Sequence, residues 1–177
     1  MSDSLRIEHL HSTDLSLDAM AAVRHLCDAA YGCPTQPFFD SLGPADHLLG
    51  RSGGRIVSHL MWITRWLQPE SGAPLKTAYV EMVATSPAEQ GRGYATELLR
   101  ALMPHLATYE LAALCPATEG LYARLGWWFW RGPLSARKDG TKVSTPEERV
   151  MISPFPRTPA LDPDEPLSVE WRAGEVW

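Results

Sequence analysis

Cysteine is scarce in this chain. There are three, Cys27, Cys33 and Cys115, an odd number at spacings that match no zinc-binding pattern. A disulfide framework and a structural zinc are both argued against, and a reducing, cytoplasmic setting is expected. Positive charge is also short, with 16 Lys and Arg against 21 Asp and Glu. A protein that grips a phosphate backbone needs the opposite balance, so nucleic acid is not an expected partner. No apolar run reaches the roughly 20 residues of a membrane helix, so no membrane partner is expected either. The opening stretch, "MSDSLRIEHLHSTDL", has an early acid and no apolar core, unlike a signal peptide. Repeats and composition shifts are absent. One domain spanning 1–177 is expected, long enough to bury a core without staples.

What is present is a pattern of strands followed by alternating strands and helices. "LRIEHL" reads as a strand. "STDLSLDAMAAVRHLCDAAY" repeats apolar residues at helical spacing (Leu17, Met20, Val23, Leu26, Cys27, Ala30), with cap candidates at Ser12, Thr13 and Ser16. "GCPTQPFFDSLGPAD" is rich in Gly and Pro and reads as a long loop with at most one helical turn. "HLLGRSGGRIVSHLMWITRWLQ" is two β-rich runs around a Ser-Gly-Gly turn. After "PESGAP", "LKTAYVEMVATS" is the strongest strand in the chain, apolar nearly throughout. A helix over "GYATELLRALMPHLATY" aligns Tyr94, Leu98, Leu102 and Leu106, with Pro104 near its end. "ELAALC" reads as a strand, "TEGLYARLG" as a short helix closed by Gly126, "WWFWRGPLSAR" as another strand, "KDG" as a turn and "RVMIS" as a strand. Five prolines between Pro154 and Pro166 indicate extended coil, and "LSVEWRAGEVW" a final strand and tail. The fold class is α+β, a sheet with helices on its faces.

The stretch "SPAEQGRGYATELLRAL" joins the strongest strand to a helix through Gly91 and Gly93. Glycine lets the backbone turn with positive φ and approach a ligand closely. The first amides of the following helix have no intrahelical acceptor, and the helix dipole adds positive potential, so the loop is suited to an anion such as a pyrophosphate. Taken alone, it is equally an ordinary turn before a helix. No Gly-Lys-Ser/Thr follows, so it is not a P-loop. Thr96 stands where the dinucleotide fingerprint has its third small residue. The remaining common phosphate cofactor is coenzyme A.

"QGRGYA" (Gln90, Gly91, Arg92, Gly93, Tyr94, Ala95) resembles the Gln/Arg-x-x-Gly-x-Gly/Ala signature of the GNAT acetyltransferases. "LYARLGW" resembles their second motif, a Tyr on a short helix followed by Gly and an aromatic residue. "YVEMVA", "LYARLGWW" and the terminal "EWRAGEVW" are similar to the aminoglycoside 2'-N-acetyltransferases, small GNAT enzymes with a Trp-Arg-Ala-Gly-acid-Val-Trp end. The similarity runs from Ala78 onward and is poor over 31–45, where that family shapes its acceptor pocket. The resemblance implies a GNAT fold, whose mixed, mostly antiparallel sheet splays in the middle. It implies acetyl-CoA as co-substrate without a metal, a small amino sugar as acceptor, and a homodimer.

Acetyl transfer to an amine requires a deprotonated nitrogen, aligned substrates, donors for the oxyanion and an acid for the departing thiolate. By resemblance, Met82, Val83 and Thr85 pair with the pantetheine arm as an added strand would. The amides of Gln90, Gly91, Arg92, Gly93, Tyr94, Ala95 and Thr96 take the pyrophosphate, and an N–H near Val83 faces the thioester oxygen. Glu81 sits in an otherwise apolar strand, where a carboxylate is costly unless solvated or paired. It is either an edge acid paired with Lys or Arg or, as the resemblance implies, the group that takes the acceptor's proton through water. Tyr122 is the implied acid for the thiolate; a phenol of pKa about 10 stays protonated at neutral pH. The alternative is a Tyr that packs on the sheet.

Trp177 is expected on the acceptor side, its carboxylate and Glu175 forming an acidic rim and its indole offering a face to a cationic sugar. The alternative is a frayed tail. Glu147 and Glu148 are further acids for a polycationic substrate or ordinary loop residues. Gln36 and Asp40 lie in the loop on the usual acceptor side. Cys115, at a strand end, borders the expected cleft, and no nearby His or acid in the sequence supports an acyl-cysteine. His9 and His11 alternate on one strand without a third ligand. "WWFW" reads as core, with Trp130 at most bordering the pocket.

The reading is an acetyl-CoA-dependent N-acetyltransferase acting on an amine, the 2'-amine first, of an aminoglycoside-type antibiotic, including kasugamycin-like sugars, and conferring resistance. Two other readings stand beside it: acetylation of another small amine or a peptide N-terminus, and a non-catalytic acyl-CoA sensor.

Overall fold

A computed structural model describes residues 4–177, with ten strands and four α-helices among them. Backbone proximity divides the chain into two compact units. One comprises the chain up to Ile63 and Val80–Ala107, the other Thr64–Tyr79 and Thr108–Trp177. Two long strands, β3 (Arg55–Pro69) and β4 (Leu75–Thr85), contribute to both.

In the first unit β1 (Arg6–His11) runs antiparallel to β2 (Asp46–Ser52), which runs antiparallel to β3. The β2–β3 turn is made by Gly53 and Gly54, both at positive φ, which matches the twist of a tight hairpin. Helix α1 (Leu17–Tyr31) begins where the Ser16 hydroxyl accepts from the Ala19 N–H, and it stops at Gly32, which is left-handed. It buries Val23, Leu26 and Cys27, but Leu17, the first residue of the expected stripe, is 90% exposed. The Gly- and Pro-rich segment after it is more ordered than expected. It holds a helix, α2 (Gln36–Leu42), with Pro37 in its first turn, where a missing N–H costs nothing. Thr35 anchors this helix by donating its N–H and hydroxyl to the Asp28 carboxylate, both at 2.7 Å. Helix α3 (Tyr94–Leu102) buries Tyr94, Leu98, Leu99 and Leu102 and touches β2; Pro104 falls in the 3₁₀ turn that follows.

In the second unit the hairpin of β3 and β4 is central. β4 pairs in parallel with β5 (Leu111–Leu114) over Thr77–Tyr79, and β5 pairs with β9 (Met151–Pro154), which pairs with β6 (Trp128–Phe129). On the other side β3 pairs with β10 (Leu167–Glu170), which runs parallel to β7 (Leu134–Lys138), and β7 pairs with β8 (Thr141–Ser144). The sheet is therefore mixed and mostly antiparallel, and the architecture is α+β. Helix α4 (Gly120–Ala123) is one turn, closed by Gly126 at positive φ.

The expected single strand "WWFWRGPLSAR" is broken into β6 and β7. The break is imposed from afar: the N–H groups of Arg131 and Gly132 both donate to Pro163 O at 2.9 Å. Arg131 also forks onto Asp164. A Cβ on Gly132 would lie 1.9 Å from Glu165 O, so only glycine fits there. Among the described residues no helix is long and apolar enough to cross a membrane.

Candidate active site

The glycine loop has the geometry of a ligand cradle. Gly91 and Gly93 have φ of +78° and +84°, and a Cβ built on either meets nothing within 4 Å. Their shape therefore answers a backbone demand, and the space beside them is open. Gly93 is the N-cap of α3 and supplies no side chain to its first amides. Those amides, at Tyr94–Thr96, need another acceptor. Arg92 is exposed and pairs with Glu89 at 2.9 Å, while Arg55 reaches the same carboxylate at 3.5 Å. A hydrogen bond donated to the Tyr94 oxygen, and secondly the Glu89 charge, hold the Arg92 guanidinium above its ordinary pKa. Gln90 turns its amide back onto Thr85 O at 3.3 Å.

The strand before the loop is held in an unusual way. Met82 has φ +52°, a left-handed conformation that costs a non-glycine residue about 1–2 kcal/mol. The four carbonyls from Met82 to Thr85 each receive a side-chain hydrogen bond. His59 Nδ1 donates to Met82 O at 3.0 Å, the Tyr31 hydroxyl to Val83 O at 3.1 Å, Ser58 to Ala84 O at 3.0 Å, and Gln90 to Thr85 O. Side chains thus set the orientation of these peptide planes. Glu81 is half-buried between Val80 and Met82, both buried.

Two histidines that sequence reasoning left out lie behind Met82. His59 is fully buried, and burial, reinforced by His47, lowers its pKa to about 3. His47 is also buried; burial is the main reason its pKa falls to about 4, with Asp46 opposing. His47 Nδ1 lies 3.0 Å from His59 Nε2, and Ser12 Oγ lies 3.0 Å from His47 Nε2. The available signal was the one that flagged Glu81: a titratable residue inside an apolar strand. His47 faces Met61 and Leu49 faces His59 in the β2–β3 ladder, so the two imidazoles are diagonal neighbours on one face. His9, by contrast, pairs with Asp46 at 2.9 Å and stacks on Trp62, with the His105 ring tilted against it at 4.3 Å. His11 bonds Thr13.

On α2, Gln36 and Asp40 are both exposed and hydrogen-bond each other.

In the second unit Tyr122 is buried on α4, and burial pushes its phenol up to about 12. The Trp127 ring meets it edge-on at 6.1 Å. Cys115 is exposed. It receives the Tyr79 hydroxyl at 3.4 Å and lies 3.8 Å from Glu148 Oε2. An acid distant in sequence therefore does reach this thiol. Tyr79 is itself buried, with Arg65 5.6 Å and Arg172 6.0 Å from its ring centre.

The last residue of the chain is packed, not frayed. Trp177 is 2% exposed and its indole N–H donates to Thr145 Oγ1 at 2.8 Å. An indole this buried anchors the tail; it does not present the open ring face expected from the sequence. Arg172 bonds the carbonyls of Glu175 and Trp177, and Arg65 bonds that of Val176 at 3.0 Å. Glu175 is exposed.

Comparison with known proteins fits these features. The model of the acetyltransferase (GNAT) domain matches residues 13–129. An aminoglycoside 2'-N-acetyltransferase of Mycolicibacterium fortuitum is 29% identical, over 95% of this chain and 90% of its own. A GNAT family acetyltransferase from Brucella melitensis, solved with acetyl-CoA, superposes with a TM-score of 0.58 at 17% identity, covering 95% of this chain and 97% of that one. YhbS from Escherichia coli, a GNAT family N-acetyltransferase solved with CoA, gives 0.61 at 15% identity, covering 97% and 93%.

Proposed function

The chain belongs to the GNAT acetyltransferase family, an acetyl-CoA-dependent N-acetyltransferase, and from that premise we propose that its acceptor is an amine of an aminoglycoside-type amino sugar, the 2'-amine first. The observation that carries the acceptor class is the relative that matches along 95% of the chain. The donor side is supported by the open cradle at Gly91 and Gly93 and by the uncapped amides of α3.

Acetyl-CoA supplies an activated acyl group and a thiol leaving group. In this reading the loop amides from Gln90 to Thr96 hold its diphosphate, and Met82, Val83 and Thr85 align its pantetheine arm. Glu81 takes, through a water, the proton the acceptor loses as its nitrogen bonds the acyl carbon. The Val83 N–H steadies the oxygen that gains charge. Tyr122 gives its phenolic proton to the sulfur as the C–S bond breaks; a phenol held neutral by burial is suited to donate. Glu148, Glu175, Asp40 and Gln36 contribute the polar and acidic surface that a polycation needs, with Cys115 beside Glu148. Trp177 serves by fixing the tail that carries Glu175. A single catalytic domain, a homodimer, a cytoplasmic setting and protection of the host from the drug belong to the same proposal.

Thiol release from acetyl-CoA tests it, with a panel holding a 2'-amino aminoglycoside, a kasugamycin-type sugar, a polyamine and a peptide with a free N-terminus. The 2'-amino aminoglycoside is expected to turn over fastest, with acetate on the 2' nitrogen by NMR and growth protection in a susceptible host. Turnover of only the polyamine or peptide would replace the acceptor. Coenzyme A binding without turnover of any amine would make the chain a sensor.

A further inference from the structure

Ser12, His47, His59 and the Met82 carbonyl form one chain of successive 3.0 Å contacts, buried from His47 inward. The proton positions follow from its inner end. A carbonyl only accepts, so His59 carries its proton on Nδ1. His59 is neutral, because burial opposes a charge on it. Its Nε2 is therefore an acceptor, and His47 must carry its own proton on Nδ1 to meet it. His47 Nε2 is then left as an acceptor 3.0 Å from Ser12 Oγ, an oxygen that exchanges hydrogen bonds with the Ala45 backbone, receiving its N–H and donating to its C=O, both at 2.9 Å. Each partner fixes the tautomer of the next.

What the chain holds is a single peptide plane. The Met82 C=O and the Val83 N–H belong to one trans unit and point in opposite directions. Anchoring the carbonyl on His59 therefore aims the Val83 N–H away from His59. Met82 is at φ +52°, where a non-glycine residue stays only if its surroundings hold it. The geometry points to His59 as a positioning residue: through Met82 it maintains the left-handed turn that directs the Val83 N–H, with His47 locking the tautomer. This rests on the acyl-transfer reading only for its consequence, because the N–H so directed is the one assigned to the thioester oxygen.

Two measurements test it. The first needs no substrate: the imidazole ¹⁵N spectrum of the intact protein is expected to show neutral His59 protonated on Nδ1. An Nε2-protonated His59 would overturn the proposal whatever the enzyme does, and a wild type inactive on every amine would overturn the acyl-transfer reading while leaving this signature to decide the turn. The second is kinetic. Losing one oxyanion donor costs about 10²–10³ in kcat, so His59→Leu, which misaims one, is expected to lower kcat at least about 30-fold. Its Kd for coenzyme A, which lacks the acyl oxygen, should stay within about twofold. His59→Asn places an amide N–H near the lost Nδ1 and should recover most of the rate. Full activity in His59→Leu, or a loss shared equally by His59→Asn, would sink the assignment. Should His59→Leu fail to fold, His59→Gln is the second variant: its amide reaches the His47 side of the ring rather than Met82 O, so its kcat is expected to fall at least about 30-fold while His59→Asn stays active, and full activity in His59→Gln would sink the assignment.

Discussion

Arg65 and Glu170 are joined twice. The guanidinium Nε meets the Glu170 carboxylate at 2.8 Å, and Nη2 meets the Glu170 backbone carbonyl at 2.6 Å. The second carboxylate oxygen accepts the Trp66 N–H at 2.9 Å. The two side chains are unequally placed, Arg65 being 3% exposed and Glu170 37%.

That inequality sets the order of two mutational costs. Glu170→Ala leaves a buried guanidinium without its counter-charge, and breaking a buried pair in this way costs about 3–5 kcal/mol. Arg65→Leu leaves a carboxylate that water can reach, and a leucine fills much of the volume. Urea unfolding is expected to rank Glu170→Ala as the more damaging by at least about 1 kcal/mol. The reverse order would mean that Arg65 contributes chiefly through the carbonyls of Glu170 and Val176.

The buried histidines make the protein sensitive to acid. In the unfolded chain both titrate near about 6.5, whereas burial holds His47 at about 4 and His59 at about 3 in the fold. As pH falls below 6.5 the unfolded state takes up protons that the folded state refuses, so stability drops and keeps dropping down to those folded values. His47 alone accounts for about 3 kcal/mol of that loss. Unfolding free energy measured between pH 6.5 and 4.5 should fall more steeply in the wild type than in His47→Gln, by close to one proton. Parallel slopes would mean that His47 titrates like a solvated imidazole.

The parts of the fold that were readable share a local cause. Gly53 and Gly54 announce the β2–β3 turn because that turn demands positive φ from its own residues. The glycine loop and α3 are readable for the same reason. What escaped depends on distant partners. Pro37 and its neighbours look like loop, yet the Asp28 carboxylate, seven residues before Thr35, anchors the start of a helix there. β8 is exposed at all four positions, so it carries no alternation, and only pairing with β7 makes it a strand. The break between β6 and β7 is made by Pro163–Glu165. At the candidate site, Glu81 and Tyr122 stand out in the sequence as residue types in motifs. The His47–His59 pair needed the register of a hairpin, and the burial of Trp177 needed Thr145 and two arginines.

Glu81→Gln keeps the shape of the side chain and removes its basicity. General base catalysis contributes about 10²–10⁴-fold, and kcat/KM at pH 7 should fall by that order while the melting temperature holds. Raising the pH past the acceptor amine's own pKa should return part of the rate, because the amine then needs no base. A variant as efficient as wild type at pH 7 would remove Glu81 from the proton path.

Tyr122 should leave its mark on the alkaline side. Its phenol is pushed up to about 12 by burial, so the proton for the proposed donation to sulfur stays in place well above neutral pH. The same shift favours the fold below about pH 10 and fades as pH rises from 10 to 12. The kcat profile is expected to stay level up to about pH 10, and Tyr122→Phe to lower the plateau about 10²-fold with little change in acceptor binding. A descending limb centred near the ordinary phenol value would point to a different, solvated acid.

Gly93 and Gly54 permit a matched comparison. They have φ of +84° and +76°, and an added Cβ meets nothing within 4 Å at either. Alanine therefore brings the same penalty to both, a left-handed residue at about 1–2 kcal/mol, with no clash to confuse it. Both variants should lose similar stability in urea. Only Gly93 caps α3, so only Gly93→Ala should also disturb a diphosphate bound to its first amides. Isothermal titration is expected to show coenzyme A weakened about tenfold, or about 1.4 kcal/mol, in Gly93→Ala. In Gly54→Ala it should be unchanged within twofold. Equal affinity in the two variants would mean that the diphosphate sits elsewhere, and the donor half of the proposed function would fall with it.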